Sequence, residues 1–184
     1  KLKSFYDELG LLELSKIDLY EKTRPITPVQ WGDVETATLS IGHELSISPM
    51  QMIEAGSLLF SEKKNNSVTI KKRDFRYKNE KNNFITVKTK NLLKELMYEN
   101  ILYGTGKKAK ILGYEIGGKT ATGEKSLNGR YVKNKLVSSF LAIFPAKNPK
   151  YISLVLFDEP NNKVDIKRST GGGATAAPTT AKIL

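Results

Sequence analysis

Residues 113–125 read GYEIGGKTATGEK, and their first eight letters, GYEIGGKT, satisfy the Walker A phosphate-loop pattern letter for letter. A phosphate loop needs a buried strand before it and a helix directly after it, because the helix N-terminus and successive backbone amides hold the phosphates. Thr120 is succeeded by Ala121, Thr122, Gly123 and Glu124, then by the turn signal Asn128-Gly129, so no helix is available to supply that dipole. The stretch is therefore read as the end of a β-strand, and the nucleotide-binding interpretation is set aside.

The strand reading extends downstream. Residues 110–122, 136–146 and 151–159 are three strand-like runs separated by Asn128-Gly129 and Asn148-Pro149, which predicts an antiparallel three-strand meander. The tail, 171–184, is rich in Gly and Ala with Pro178, and suits a helix of small residues packed closely on that sheet.

Helices dominate upstream. In 91–103, Leu92, Leu93, Leu96, Met97 and Ile101 fall on one side of a helix that Gly104 is positioned to end. Another helix should start at Ser48 as N-cap, with Pro49 in its first turn and Gln51 able to reach back to the cap amide. Running to about Phe60, it has almost no polar face, so burial is expected. Residues 5–14 suit a helix ending near Gly10, and 23–33, with Pro25, Pro28 and the single tryptophan Trp31, an irregular segment folded against something.

At 184 residues, 39% hydrophobic and 27% charged, the chain is the size of one ordinary globular domain. Its longest apolar stretch, 136–145, is interrupted by Ser138 and Ser139 and falls short of the roughly 20 residues of a membrane helix. With no cysteine, disulfides and thiolate metal sites are excluded. The chain opens at Lys1 without an initiator Met or signal pattern, as an excised piece would. A net charge of +11 raises the question of a polyanionic partner. Much of the excess lies in 63–90, where Lys71, Lys72, Arg73, Arg76, Lys78, Lys81, Lys88 and Lys90 are interleaved with Asn and a few aromatics, the composition of a solvated polar insertion. No zinc-finger spacing, helix-turn-helix or RNP-type strand accompanies it, so no nucleic acid is expected as partner.

The segment GGKTATGEK, 117–125, resembles the Lys-Thr-Gly motif that penicillin-binding proteins and related β-lactamases carry on the strand lining their active site. The flanks make the likeness specific. TLSIGHELSISPMQM (38–52) resembles the family's lead into a buried helix, and YGTGKKAKILGY (103–114) its Gly-rich approach to the motif. GRYVKNKLVSSFLAIFPAKNPKYISLVLFDEP (129–160) is similar to the next two strands, and GGGATAAP (171–178) to the opening of the last helix. The sequence after the motif looks most like the class B, monofunctional enzymes of septal wall synthesis. The resemblance implies an α/β, partial β-lactamase/transpeptidase-like fold, an antiparallel sheet flanked by helices, with 1–184 as the C-terminal part of a transpeptidase domain.

It also implies an activity: a serine-type D,D-transpeptidase that cross-links stem peptides through an acyl-enzyme. Such a protein has no cofactor or metal, meets peptidoglycan stem peptides, β-lactams and cell-division proteins, and is anchored in the inner membrane facing the periplasm. The resemblance gives Lys119 and Thr122 catalytic roles and makes Thr120, Ala121 and Thr122 the substrate-binding wall. A D-Ala-D-Ala carboxylate is well held by a fixed cation beside hydroxyl donors. By the same analogy the backbone amide of Thr122 is an oxyanion-hole donor. Ala121 departs from the family glycine, and its methyl could narrow the cleft or alter the strand twist. The competing class is non-catalytic, either a penicillin-binding-like scaffold that lost activity through Ala121 or a basic polyanion-binding module.

The family's Ser-x-x-Lys nucleophile and Ser-x-Asn motifs precede Lys-Thr-Gly. Each has a literal match here, in SEKK at 61–64 and SLN at 126–128, and both are decoys. The first lies where a helix frays into the polar insertion rather than at a buried helix start. The second comes after the Lys-Thr strand instead of preceding it. The nucleophile is therefore expected upstream of Lys1, in the missing N-terminal part of the same protein. The single histidine, His43, has no Cys or second His to complete a metal or triad site and is expected to be structural.

Overall fold

Ser48 and Gln51 start a helix by satisfying each other. The Ser48 hydroxyl accepts from Gln51 N at 3.3 Å, the Gln51 Oε1 accepts from Ser48 N at 3.0 Å, and Pro49 fills the first helical position, which needs no donor. In the computed structural model, which describes residues 1–62, 68–71, 82–127, 130–160 and 170–184, this helix belongs to the first of two compact units, Lys1–Thr86 and Val87–Leu184.

The first unit holds α1 (Leu2–Glu8), α2 (Asp33–Ser40) and α3 (Pro49–Phe60). Gly10 takes φ +74°, in the region that favours glycine, and ends α1 close to where the sequence implied. Gln51 is almost fully buried, and its Nε2 donates to Glu13 O at 2.7 Å, so the capping residue also ties α3 to the chain leaving α1. Burial along α3 is narrower than its composition implied. Only Gln51, Ala55, Gly56 and Phe60 are buried, the remaining apolar side chains being half-covered.

The end of α3 is closed from a distance. Asn82 is buried, and its amide donates to Leu58 O at 2.6 Å and Ser61 O at 3.0 Å, two carbonyls that the helix end leaves without partners. Phe84, two residues on, stacks on Phe5 of α1. The last part of the expected insertion is thus a clasp, while 63–67 and 72–81 lie outside the described residues. Trp31 does fold against a partner, meeting Tyr6 edge-on at 6.4 Å with the Lys3 ammonium over its ring. Helix α2 has no counterpart in the sequence reading. Thr36, Thr38 and Ser40 all bond back to carbonyls of the preceding turn, and such residues disfavour helix interiors, which hid the element.

In the second unit, α4 (Val87–Leu102) leads to a 3-10 turn (Lys107–Ala109), β1 (Gly117–Leu127), β2 (Arg130–Phe144), β3 (Tyr151–Asp158) and α5 (Ala176–Ile183). Helix α4 begins a turn earlier than expected, so Lys88 and Lys90 are helix residues rather than insertion. The first strand is also displaced: 110–116 forms a tight turn with an Ile111–Tyr114 bridge and Gly113 at φ +84°, and the ladder starts only at Gly117. The positive φ of Gly113 breaks the extended run that the letters suggested. The meander is antiparallel in the order β1-β2-β3, as anticipated, with Asn128-Gly129 outside the described residues.

The two faces of the sheet are covered differently. Phe140 and Ala142 point to one face and join Ala176 and Ala177 of α5, with Ile101, Ala109 and Ile116, in a buried cluster. Alanines on the helix let it approach closely, and truncating the fully buried Phe140 would cost about 3–5 kcal/mol. Ile143 points to the opposite face, where a Cβ added to Gly117 would lie 3.1 Å from Ile143 Cγ1 and 3.2 Å from Met97 Cβ of α4. Helices thus flank the sheet on both sides. No helix among the described residues is long and apolar enough to cross a membrane.

Candidate active site

Residues 118–122 occupy the outer edge of β1, which no other strand pairs among the described residues. Gly118 O accepts from Asn100 Nδ2 at 2.8 Å and Thr120 O from Lys119 Nζ at 2.7 Å, so both carbonyls point away from β2. Successive residues of an antiparallel strand alternate in the direction of their N–H and C=O groups, which puts the Thr122 N–H on the same outer edge. Thr122 lies two residues beyond Thr120, and the ladder from Gly117 to Glu124 is unbroken, its one register shift lying between Glu124 and Ser126.

The side chains alternate too. Thr120 and Thr122 lie opposite Phe140 and Ser138 and share the α5 face, whereas Lys119 and Ala121 lie opposite Leu141 and Ser139 on the other. The cation and the hydroxyls therefore start from opposite faces of the strand. Lys119 reaches the edge by curling onto Thr120 O, which uses one of its three donors.

Both threonines are anchored. Thr122 Oγ1 accepts from Gly172 N at 3.0 Å, leaving its own proton as a donor for an incoming oxygen. Thr120 Oγ1 lies 2.6 Å from Thr105 Oγ1, and Thr105 is in turn bonded to Asn100. The segment 170–173 crosses the sheet here, with the Ser138 hydroxyl donating to Thr170 O. Gly172 sits directly on the backbone of the Ala121–Ser139 pair, where a Cβ would be 2.6 Å from Ala121 O. Ala121 is exposed, its methyl is on the Lys119 face, and it does not interrupt the ladder.

An exposed ammonium, two anchored hydroxyls and an edge amide together make a binding surface for an oxygen anion. Among the described residues no cluster of His, Asp or Glu could hold a metal ion. Ser61 stands one residue beyond α3, at its C-terminal end, and Lys63 and Lys64 lie outside the described residues. Ser126 is a strand residue opposite Tyr131. His43 is exposed in the turn after α2, its backbone N–H bonded to Thr38 O at 3.0 Å. The sequence reading missed the supporting residues Asn100, Thr105 and Gly172. Their visible signal was the glycine flanking: Gly104 and Gly106 around Thr105, and the run Gly171 to Gly173.

A family model described as the penicillin binding protein transpeptidase domain matches residues 1–184. The chain is 32% identical to the probable peptidoglycan D,D-transpeptidase FtsI of Caulobacter vibrioides over 100% of its own length and 33% of the relative's. It is 33% identical to the probable peptidoglycan D,D-transpeptidase PenA of Neisseria flavescens over 84% of its length and 37% of the relative's. The apo transpeptidase domain of Burkholderia pseudomallei penicillin-binding protein 3 superposes with a TM-score of 0.83 at 25% identity, covering 99% of this chain and 54% of that one. Penicillin-binding protein 3 of Mycobacterium tuberculosis, solved in complex with ampicillin, shares the fold with a TM-score of 0.78 at 22% identity, covering 98% of this chain and 43% of that one. The chain thus spans about a third of the length of these curated relatives and about half of the solved chains.

Proposed function

Because the chain belongs to the penicillin-binding protein transpeptidase family, we propose that the outer edge of β1 is the carboxylate-binding wall of a peptidoglycan D,D-transpeptidase. The whole protein would cross-link stem peptides in septal wall synthesis by a serine acyl-enzyme route, with β-lactams as competing ligands. In that reaction a serine attacks the penultimate D-Ala carbonyl, the terminal D-Ala leaves, and the acyl group passes to an acceptor amine. Lys119 supplies positive charge for the terminal carboxylate, and the hydroxyl protons of Thr120 and Thr122 bind it. The Thr122 N–H stabilises the oxyanion of the tetrahedral intermediate. The observation that carries this reading is the outward direction of the Gly118 and Thr120 carbonyls, and with them the Thr122 amide, on an unpaired edge.

The nucleophilic serine comes from sequence outside these 184 residues, since neither Ser61, past a helix end, nor Ser126, in a strand, occupies a helix start with a lysine one turn on. In this reading 1–184 is the C-terminal part of the domain, and the protein is membrane-anchored, faces the wall and works beside cell-division proteins. The test is labelling of the full-length protein with a fluorescent penicillin. The wild type should acylate, and Lys119→Ala should slow acylation about 10- to 100-fold, the loss expected for a charged hydrogen bond. A wild type that takes up no label would favour the non-catalytic scaffold. Equal labelling of the variant would remove Lys119 from the site.

A further inference from the structure

Thr105 reaches the candidate site through one contact, its hydroxyl lying 2.6 Å from that of Thr120. Its two donors share one acceptor. Thr105 N–H and O–H both point at Asn100 Oδ1, at 3.0 and 3.3 Å. The other end of the same amide donates to Gly118 O at 2.8 Å, so Asn100 joins the end of α4 to the start of β1. Gly104 and Gly106 make room for it: a Cβ at Gly104 would overlap the Asn100 amide, and one at Gly106 would lie 2.9 Å from Asn100 Nδ2. The run Gly104-Thr105-Gly106 is thus shaped around one carboxamide.

A hydroxyl has one proton and two acceptor positions. With the Thr105 proton on Asn100 Oδ1, the short contact to Thr120 requires Thr120 to donate, and no Thr120 proton remains for a ligand. With the Thr105 proton turned onto Thr120, the Thr120 proton is released to face outward. Asn100 Oδ1 keeps its bond from Thr105 N–H in both arrangements, so turning the hydroxyl leaves that oxygen satisfied. We propose that Thr105, oriented by Asn100, is a positioning residue whose hydroxyl rotates from Asn100 to Thr120 when a carboxylate arrives, making Thr120 a donor to it. The change is a rotation of two O–H bonds and breaks no covalent bond. It rests on the carboxylate-binding role given to Thr120 above.

The experiment compares acylation rates of the full-length protein by ampicillin, whose carboxylate is free, and by ampicillin methyl ester, whose carboxylate is masked. The wild type should prefer ampicillin. Thr105→Val, at an exposed position where the change alters little packing, removes the oxygen that takes the Thr120 proton in the resting state, so ampicillin should react faster, by up to about tenfold for one hydrogen bond no longer given up, while the ester is unchanged. Thr105→Ala should behave alike, and Thr105→Ser should return the wild-type rate. An equal change with both compounds, a slower or unchanged ampicillin rate, or failure of serine to return the wild-type rate would overturn the positioning role alone. A wild type that reacts with neither compound, or with both equally, would sink the carboxylate site itself and this proposal with it.

Discussion

Replacing Gly172 by alanine puts a methyl group where two backbone oxygens already sit. The added Cβ would overlap Ser139 O and lie 2.6 Å from Ala121 O and 3.4 Å from Ala121 N. Those atoms belong to one antiparallel pair, so neither oxygen can swing aside as a side-chain tip would. The segment must lift from the sheet instead. Lifting strains or breaks the bond from Gly172 N to Thr122 Oγ1 and the bond from Ser138 to Thr170 O. Overpacking costs about 1–3 kcal/mol and each neutral hydrogen bond about 1 kcal/mol, and relaxation exchanges one for the other, so a loss of about 2–4 kcal/mol is expected. Calorimetry of the full-length protein should then register a fall in Tm on the order of 5–10 °C. Gly123→Ala is the control on the same strand. Its Cβ would meet nothing within 4 Å, and its φ lies outside the left-handed region, so stability should hold or rise by about 0.5 kcal/mol. A Gly172→Ala protein that melts within a degree of the wild type, or a Gly123→Ala protein that loses as much, would refute the close-approach argument.

Ala121→Gly removes an exposed methyl on the Lys119 face, and penicillin acylation should rise if that methyl obstructs the ligand; a fall in both rate and Tm would show neighbours adapted to alanine. Asn82→Ala strips two carbonyls at the end of α3 of their donor and should cost about 1–3 kcal/mol in urea unfolding, whereas Asn82→Ala at wild-type stability would discard the clasp. The third concerns pH. A hydrogen bond from Lys125 holds the Glu159 carboxyl below its ordinary range, and hydrogen bonds to Asp158 and Glu159 hold Lys125 above its own. The Glu159 contribution is therefore present at neutral pH and lost as pH falls through its depressed value, while the Lys125 contribution persists until pH rises above the ordinary lysine range. Glu159 is exposed and Lys125 only half-buried, so the effect is small, and Lys125→Gln should flatten the acid limb of a Tm-against-pH curve slightly; an unchanged curve would mean the pairs contribute nothing.

The parts of the fold governed by local chemistry were legible. Ser48, Pro49 and Gln51 announced α3 to the residue, because a capping box is a short-range device. The meander and its order came from turn residues and apolar runs. The start of β1 was not legible, because whether Gly113 is extended or left-handed depends on the turn that closes Ile111 on Tyr114. Helix α2 was invisible because its threonines and serine satisfy their hydroxyls internally rather than by an apolar stripe. At the site, Lys119, Thr120, Ala121 and Thr122 were found by their letters, but their division between two faces comes from strand alternation, and their supports, Asn100, Thr105 and Gly172, are 15 to 50 positions from the groups they hold. No short window along the chain brings those pairs together.

The division of β1 between two faces also governs what mutation can reach. Thr120 and Thr122 each hold the fold through a partner, Thr105 or Gly172, so a change that spoils ligand recognition there is penalised a second time through folding. Lys119 and Ala121 are exposed on the other face and carry no such second penalty. A lineage under pressure from a toxic ligand therefore finds its accessible steps at the odd-numbered residues of this strand, and the position where the chain departs from the family glycine, Ala121, is one of them.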